Sequence, residues 1–259
     1  MSGELSMKKA LLIIDRGSKM KAVQDELHDT CDLIKNKTDY SYVDFCFLEV
    51  IPPCIDEGIR KCIDRGIDSI TIVPYFLYPG MKLKDAVTQT ASIIHQENKK
   101  MVITKPLSYQ PIISEIVIKR VNSLIVEKGL DIDNKNLCFL MIGHGSSDKR
   151  AREAFLYTVN GLKKIYRDVK FCFLELEPPN IEGGIKECLT VNPDTIVVIP
   201  YFLHKGIHIQ KDILNDLAIA QEKYSFNSLF MSGHIGVDPA VIDLVITLAK
   251  EAEAKSGVF

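Results

Sequence analysis

Most of this chain is written twice, and that repetition constrains its fold more than any other feature. Residues 44–85 read DFCFLEVIPPCIDEGIRKCIDRGIDSITIVPYFLYPGMKLKD, and residues 170–211 read KFCFLELEPPNIEGGIKECLTVNPDTIVVIPYFLHKGIHIQK. Phe45 pairs with Phe171, Glu49 with Glu175, Cys62 with Cys188 and Pro74 with Pro200, at a constant offset of 126. On either side the offset is 128: Gly17-Ser18 pairs with Gly145-Ser146, and Pro111 with Pro239. A period this long is that of a whole domain rather than of a solenoid repeat. Gly, Asp and Asn cluster from Gly129 to Asn136, after an apolar helical pattern. Such a cluster marks a break, so two similar lobes are expected, at residues 7–131 and 132–259.

Within each half, short apolar runs alternate with longer amphipathic ones. Strands are predicted at Ala10–Ile14, Val43–Leu48, Ser69–Tyr75 and Met101–Lys105. They recur at Leu137–Ile142, Val169–Leu174, Thr195–Phe202 and Ser228–Met231. These runs are rich in Val, Ile and Phe and apolar on both faces, as parallel strands covered on both sides must be. Strand–helix alternation builds right-handed βαβ units. The expected fold class is therefore α/β: two doubly wound domains, each with a parallel four-stranded sheet.

Composition narrows the class further. Apolar residues make up 46% and charged residues 25%, the profile of a folded globular chain. Lys and Arg number 32 against 34 Asp and Glu, so no cationic excess exists to drive nucleic-acid binding. None of the seven Cys belongs to a C-x-x-C pair, which removes zinc-ribbon and thioredoxin-like readings. Cys46 and Cys172 lie inside predicted strands, where a thiol packs as a small hydrophobe and suits a reducing compartment. No apolar run is long enough to span a membrane, and the first residues lack the apolar core of an export signal. The expected location is cytoplasmic, with no membrane partner.

Ligands of open parallel sheets bind beyond the carboxyl ends of the strands. In the second half three such positions carry chemistry: His144 after Leu140-Met141-Ile142-Gly143, Glu175 after Phe171-Cys172-Phe173-Leu174, and His208 shortly after Val197–Phe202. Two imidazoles and a carboxylate suit a borderline divalent metal, and equally a proton acceptor near neutral pH. The repeat offers an internal comparison. Arg16 stands in the first half where His144 stands in the second, and Lys82 stands where His208 does, while Glu49 matches Glu175. Protonated cations do not ligate metals but bind carboxylates well. The expectation is a metal site in the second half and an anion clamp in the first.

At these residues the sequence resembles the CbiX/SirB family of sirohydrochlorin chelatases. The matching motifs are Ile142-Gly143-His144-Gly145-Ser146, Phe173-Leu174-Glu175, and Pro200-Tyr201-Phe202-Leu203 followed by Gly206-Ile207-His208. The resemblance implies a two-lobed chelatase fold, with the tetrapyrrole in a cleft between lobes. It implies insertion of Fe2+ or Co2+ into sirohydrochlorin, on the way to sirohaem or cobalamin, with no organic cofactor. His144, His208 and Glu175 take the metal-binding and catalytic roles. Long members often carry the histidine pair in the first half, where this chain has Asp15-Arg16-Gly17-Ser18 and Tyr78-Pro79-Gly80-Met81-Lys82 instead.

Sirohydrochlorin is a polyanion, so cations and loop amides near the same edge become candidate substrate contacts: Arg16, Lys82, Ser146, Ser147, Arg150 and Lys205. Lys19, Lys149 and Arg152 flank the same loops. Ser146-Ser147-Asp148 also reads simply as a helix cap. His204, four residues before His208, has a helical metal-pair spacing broken by Gly206. His234 follows a strand, and His28 and His95 read as surface residues of helices. The competing function is a non-catalytic carrier of tetrapyrrole or metal. A histidine-phosphatase reading needs an Arg immediately before the His, and Gly143 occupies that position. One chain supplies both walls of a cleft, so a monomer suffices.

Overall fold

A computed structural model describes residues 7–97, 99–131, 136–224 and 226–256, with side chains at all of these except 95–97, 207–210 and 212. The first sheet comprises β1 (Lys9–Asp15), β2 (Tyr42–Phe47), β3 (Ser69–Pro74) and β4 (Lys100–Ile103). The second comprises β5 (Leu137–Gly143), β6 (Val169–Phe173), β7 (Thr195–Pro200) and β8 (Ser228–Met231). All eight predicted strands are present, with every end within two residues of its expected place and Ser228–Met231 unchanged. Both sheets are parallel, with strand orders β2-β1-β3-β4 and β6-β5-β7-β8. β3 and β7 were expected to run past Pro74 and Pro200 and stop there, because proline supplies no N–H to continue the ladder. One further backbone bond follows in each sheet, from Tyr75 N–H to the Ile14 carbonyl at 2.8 Å and from Tyr201 N–H to the Ile142 carbonyl at 2.9 Å.

The helices are α1 (Lys21–Lys37), α2 (Ile55–Asp64), α3 (Met81–Glu97), α4 (Pro111–Lys128), α5 (Lys149–Leu162), α6 (Ile181–Leu189), α7 (Ile207–Lys223) and α8 (Pro239–Ser256). The central strands are buried on both faces, with every residue of β3 and of β5 buried, whereas the edge strands β4 and β8 are mostly half-buried. Tyr201, of the Pro200-Tyr201-Phe202-Leu203 motif, belongs to this core. Its hydroxyl lies 3.1 Å from Thr158 Oγ1, and Phe155 packs edge-on at 5.6 Å. Among the described residues no helix is long and apolar enough to cross a membrane.

The compact units do not follow the expected lobe boundaries at 7–131 and 132–259. One unit is Met1–Ser108 together with Pro239–Phe259, and the other is Tyr109–Asp238. The reason lies in where the two equivalent apolar helices bury their side chains. Helix α8 lies on β3 and β4 and against α1, burying Val241, Ile242, Leu244, Val245, Ile246, Leu248 and Ala249. Glu253 anchors it, accepting hydrogen bonds from Thr71 Oγ1 at 2.6 Å and from the Tyr40 hydroxyl. Burial and the Glu253 carboxylate both push the Tyr40 hydroxyl pKa upward. Helix α4 instead lies against β7 and α5 in the second unit. There the hydroxyl of Tyr166, the repeat counterpart of Tyr40, donates to Asn122 Oδ1 at 2.8 Å. The last helix of each repeat thus completes the unit built on the other repeat's strands.

Candidate active site

His144 is the first residue beyond β5, and Glu175 is the second beyond β6. The two strands are paired up to Gly143 and Phe173. The pairing continues past their ends, with Leu174 N–H donating to the Gly143 carbonyl at 3.0 Å and Glu175 N–H to the His144 carbonyl at 3.1 Å. Gly145 makes this closeness possible. Its φ is +92°, and a Cβ there would stand 1.9 Å from the Glu175 carbonyl oxygen. Only glycine supplies that backbone at no steric cost. The result is His144 Nδ1 at 3.2 Å from Glu175 Oε1, with the imidazole 30% and the carboxylate 59% exposed. Nδ1 is out of line for a hydrogen bond to the carboxylate and has no other hydrogen-bond partner. The half-exposed imidazole and the accessible carboxylate therefore stand together at the strand ends, with Nδ1 itself shielded from solvent.

Leu176, immediately after Glu175, has φ +70°, and Glu177 N–H donates to the Glu175 carbonyl at 2.9 Å. This is a γ-turn of the rare positive-φ form. Strain of this kind costs about 1–3 kcal/mol and persists only where surrounding contacts impose it. Glu177 supplies such contacts. Its carboxylate accepts from Ser146 N–H at 3.0 Å and from Arg152 Nη1 at 2.7 Å.

The first unit repeats this backbone with different side chains. Glu49 N–H donates to the Arg16 carbonyl at 3.1 Å, and a Cβ on Gly17 (φ +105°) would stand 2.1 Å from the Glu49 carbonyl oxygen. Val50 repeats the γ-turn at φ +78°, with Ile51 N–H donating to the Glu49 carbonyl at 3.0 Å. Here the carboxylate is clasped from both sides, by Arg16 Nε on Oε1 at 2.9 Å and Lys82 Nζ on Oε2 at 2.6 Å. The Lys82 ammonium first, and the Arg16 guanidinium second, hold the Glu49 carboxyl below the usual carboxylate range. Arg16 and Lys82, expected to reach for an anionic ligand, are both engaged by a residue of their own lobe.

His208 is the second residue of α7, the position Lys82 holds in α3. Its side chain lies outside the described residues, as does that of His95. Among the described residues no group of three or more His, Cys, Asp or Glu stands close enough to hold a metal ion, so the described part of the expected trio is the His144–Glu175 pair.

The other candidates separate by role. Ser146 and Asp148 form the cap of α5: Asp148 Oδ1 accepts from Arg150 N–H at 3.0 Å, and Ser146 Oγ accepts from Asp148 N–H at 3.1 Å. The Ser146 amide is taken by Glu177. Arg150 is exposed and pairs with Asp148 at 2.7 Å, while Ser147 is exposed on the loop. Lys205 is exposed and His204 half-buried in the segment between β7 and α7. His234 follows β8 and its carbonyl accepts from Arg120 Nε at 3.1 Å. His28 lies exposed on α1, edge-on to Phe45 at 4.8 Å. Glu177 is the residue that the sequence reading passed over. The signal existed: Ile51 is its repeat counterpart, an apolar-to-acidic contrast two residues beyond the paired glutamates.

Two parallel four-stranded sheets, each feeding its loops at the carboxyl edge, with the His144–Glu175 pair among the described residues, define a duplicated chelatase-type α/β protein. The CbiX family model matches residues 10–124 and again 138–252, and the chain belongs to the CbiX family. It is 26% identical to the sirohydrochlorin ferrochelatase of Priestia megaterium over 98% of this chain and 94% of that protein. It is 24% identical to the sirohydrochlorin cobaltochelatase of the same organism, over 94% of this chain and 79% of that protein. The fold is that of SirB from Bacillus subtilis with Fe3+, at a TM-score of 0.79 and 23% identity, over 97% of this chain and 98% of that one.

Proposed function

We propose that this chain inserts Fe2+ or Co2+ into sirohydrochlorin, with its working centre in the second unit. The observation that carries the reading is the contrast between the lobes: Glu49 is closed by two permanent cations, whereas Glu175 faces an imidazole and water. Similarity over at least 94% of this chain to a ferrochelatase and a cobaltochelatase of sirohydrochlorin supports the same substrate and both metals.

Metal insertion removes two pyrrole N–H protons and strips water from the cation. Glu175, exposed and anionic, receives the incoming metal. His144 shares the metal through a ring nitrogen and takes up a pyrrole proton, for which a neutral imidazole is suited near pH 7. His208 is assigned the second imidazole role on its repeat equivalence to Lys82, the residue that bonds Glu49 in the first lobe. Ser147, Arg150 and Lys205 are the exposed polar residues of the same loops that meet the substrate carboxylates. Iron and cobalt both accept nitrogen and oxygen ligands, so the donor set serves either. All seven cysteines are free thiols, which suits a cytoplasmic setting.

The test is an anaerobic assay of sirohydrochlorin with Co2+ or Fe2+, followed by absorbance. His144→Ala and His208→Ala are each expected to slow metallation by about 10²–10⁴-fold, the usual loss on removing a proton-transfer group. Pigment bound by the wild-type chain with no acceleration over the protein-free reaction overturns the enzyme reading in favour of a carrier.

A further inference from the structure

The two lobes share one strained loop and fix it in different ways. In the first, the Glu49 carboxylate ties the loop down through Arg16 and Lys82. In the second, among the described residues, the homologous Glu175 carboxylate meets no such cation, stands 3.2 Å from His144 Nδ1 and is 59% exposed. A different carboxylate, two residues on, is turned inward instead. Glu177 is only 10% exposed; it joins the Ser146 amide, next but one to His144, to the Arg152 guanidinium. Arg152 is itself fixed, since its Nη1 also donates to the Pro178 carbonyl at 3.2 Å and its guanidinium lies 5.4 Å over Phe173 and 5.7 Å over Phe171. The first lobe has Ile51 and Gln24 at the equivalent positions and cannot build this pair.

We propose that Glu177 and Arg152 are positioning residues that brace the His144 and Glu175 loops from behind, and so release the Glu175 carboxylate for the metal. The brace itself rests on geometry alone; its use in metal binding rests on the function proposed above. A charge-assisted bond to a buried carboxylate is strong and directional. It crosses from the start of α5 to the loop after β6, the two segments whose spacing sets the 3.2 Å His144–Glu175 separation. Groups that orient ligands in this way typically change metal affinity by about 10–100-fold when removed.

Two measurements on the full chain test this. In hydrogen exchange, Glu177→Ile is expected to speed exchange about tenfold or more in peptides covering 143–150 and 174–180, loss of a bonded brace being a local opening. Glu175→Ala is expected to leave those peptides at wild-type rates, whereas Glu49→Ala speeds the matching peptides of the first lobe. In calorimetric titration with Co2+ alone, Glu177→Ile is expected to weaken binding by about 10–100-fold, with Glu177→Gln, which keeps an acceptor for Ser146, recovering part of it. Arg152→Gln leaves the Ser146 bond in place and serves should Glu177→Ile fail to fold; it is expected to act in the same direction with smaller amplitude. Wild-type exchange and Co2+ affinity in these variants overturns the proposal, as does loosening by Glu175→Ala equal to that by Glu177→Ile. A wild-type chain that takes up no Co2+ overturns the metal-site reading, and the exchange measurement still decides the brace.

Discussion

The loop after β2 and the loop after β6 have one backbone and two chemistries. Each carries a glutamate whose amide bonds back to the residue after the neighbouring strand, and each needs a glycine there because a carbonyl presses on it. In the first lobe Arg16 and Lys82 neutralise the glutamate. In the second an imidazole stands beside it. The difference teaches that the scaffold of this site is independent of the activity built on it. Duplication keeps the scaffold in both copies and lets the titratable group be replaced by a fixed charge in one.

The largest expected effect concerns whether the two lobes are separable at all. A chain ending at Asp238 lacks α8, and with it the seven buried apolar side chains that lie on the first sheet. Each Val, Leu or Ile among them contributes about 1.5–3 kcal/mol on full burial, against a net stability of about 5–15 kcal/mol for a domain. Amide protection in β1–β4 is therefore expected to disappear in this truncation, while the intact chain protects both sheets. Native-like protection of β1–β4 without α8 would break the comparison, making each repeat a self-sufficient lobe.

How far the sequence announces all this depends on the range of the interaction. Strand positions are legible because burial on both faces imposes a continuous apolar run, and even the proline ends are local. The His144–Glu175 pair is legible because strand ends in a parallel sheet converge on one edge. The exchange of α4 and α8 is not, because the two helices are equivalent in pattern and either could cover either sheet. Nor is the pairing of Arg16 and Lys82 with Glu49, because which carboxylate meets a cation at a ligand edge depends on side chains brought together only by the fold. Glu177 was missed for a related reason, since an acidic residue in a loop reads as solvated unless its counterpart Ile51 is weighed against it.

A middle-sized effect separates scaffold from activity. Gly17→Ala and Gly145→Ala both place a Cβ against a backbone carbonyl, at 2.1 and 1.9 Å, and both require a positive φ that alanine resists. Each is expected to lower stability by about 1–3 kcal/mol, the common range for overpacking, visible as a similar fall in Tm. Metallation should respond to only one of them. Gly145→Ala shifts His144 against Glu175 and is expected to reduce the rate at least about tenfold, since misplacement by about an ångström is enough. Gly17→Ala is expected to leave the rate within about twofold. Equal loss of rate in both variants would mean that the first lobe's loop also takes part in turnover.

The smallest effect is the electrostatic one, and it tests the first lobe directly. Lys82 and Arg16 depress the folded-state pKa of Glu49 below its unfolded value. A depressed carboxylate contributes stability above its unfolded pKa, and that contribution fades as pH falls through the folded one. The side chains are 35%, 44% and 53% exposed for Glu49, Lys82 and Arg16, so solvent screening keeps the gain below about 1 kcal/mol. Thermal melts between neutral and acidic pH should show Glu49→Gln and Lys82→Met each flattening the acid limb slightly, with the double variant no flatter than Glu49→Gln. High salt should shrink the difference, as expected for an exposed ion pair. Additive effects of the two substitutions would separate the ammonium from the carboxylate, and the first lobe would lose the closed charge set that distinguishes it from the second.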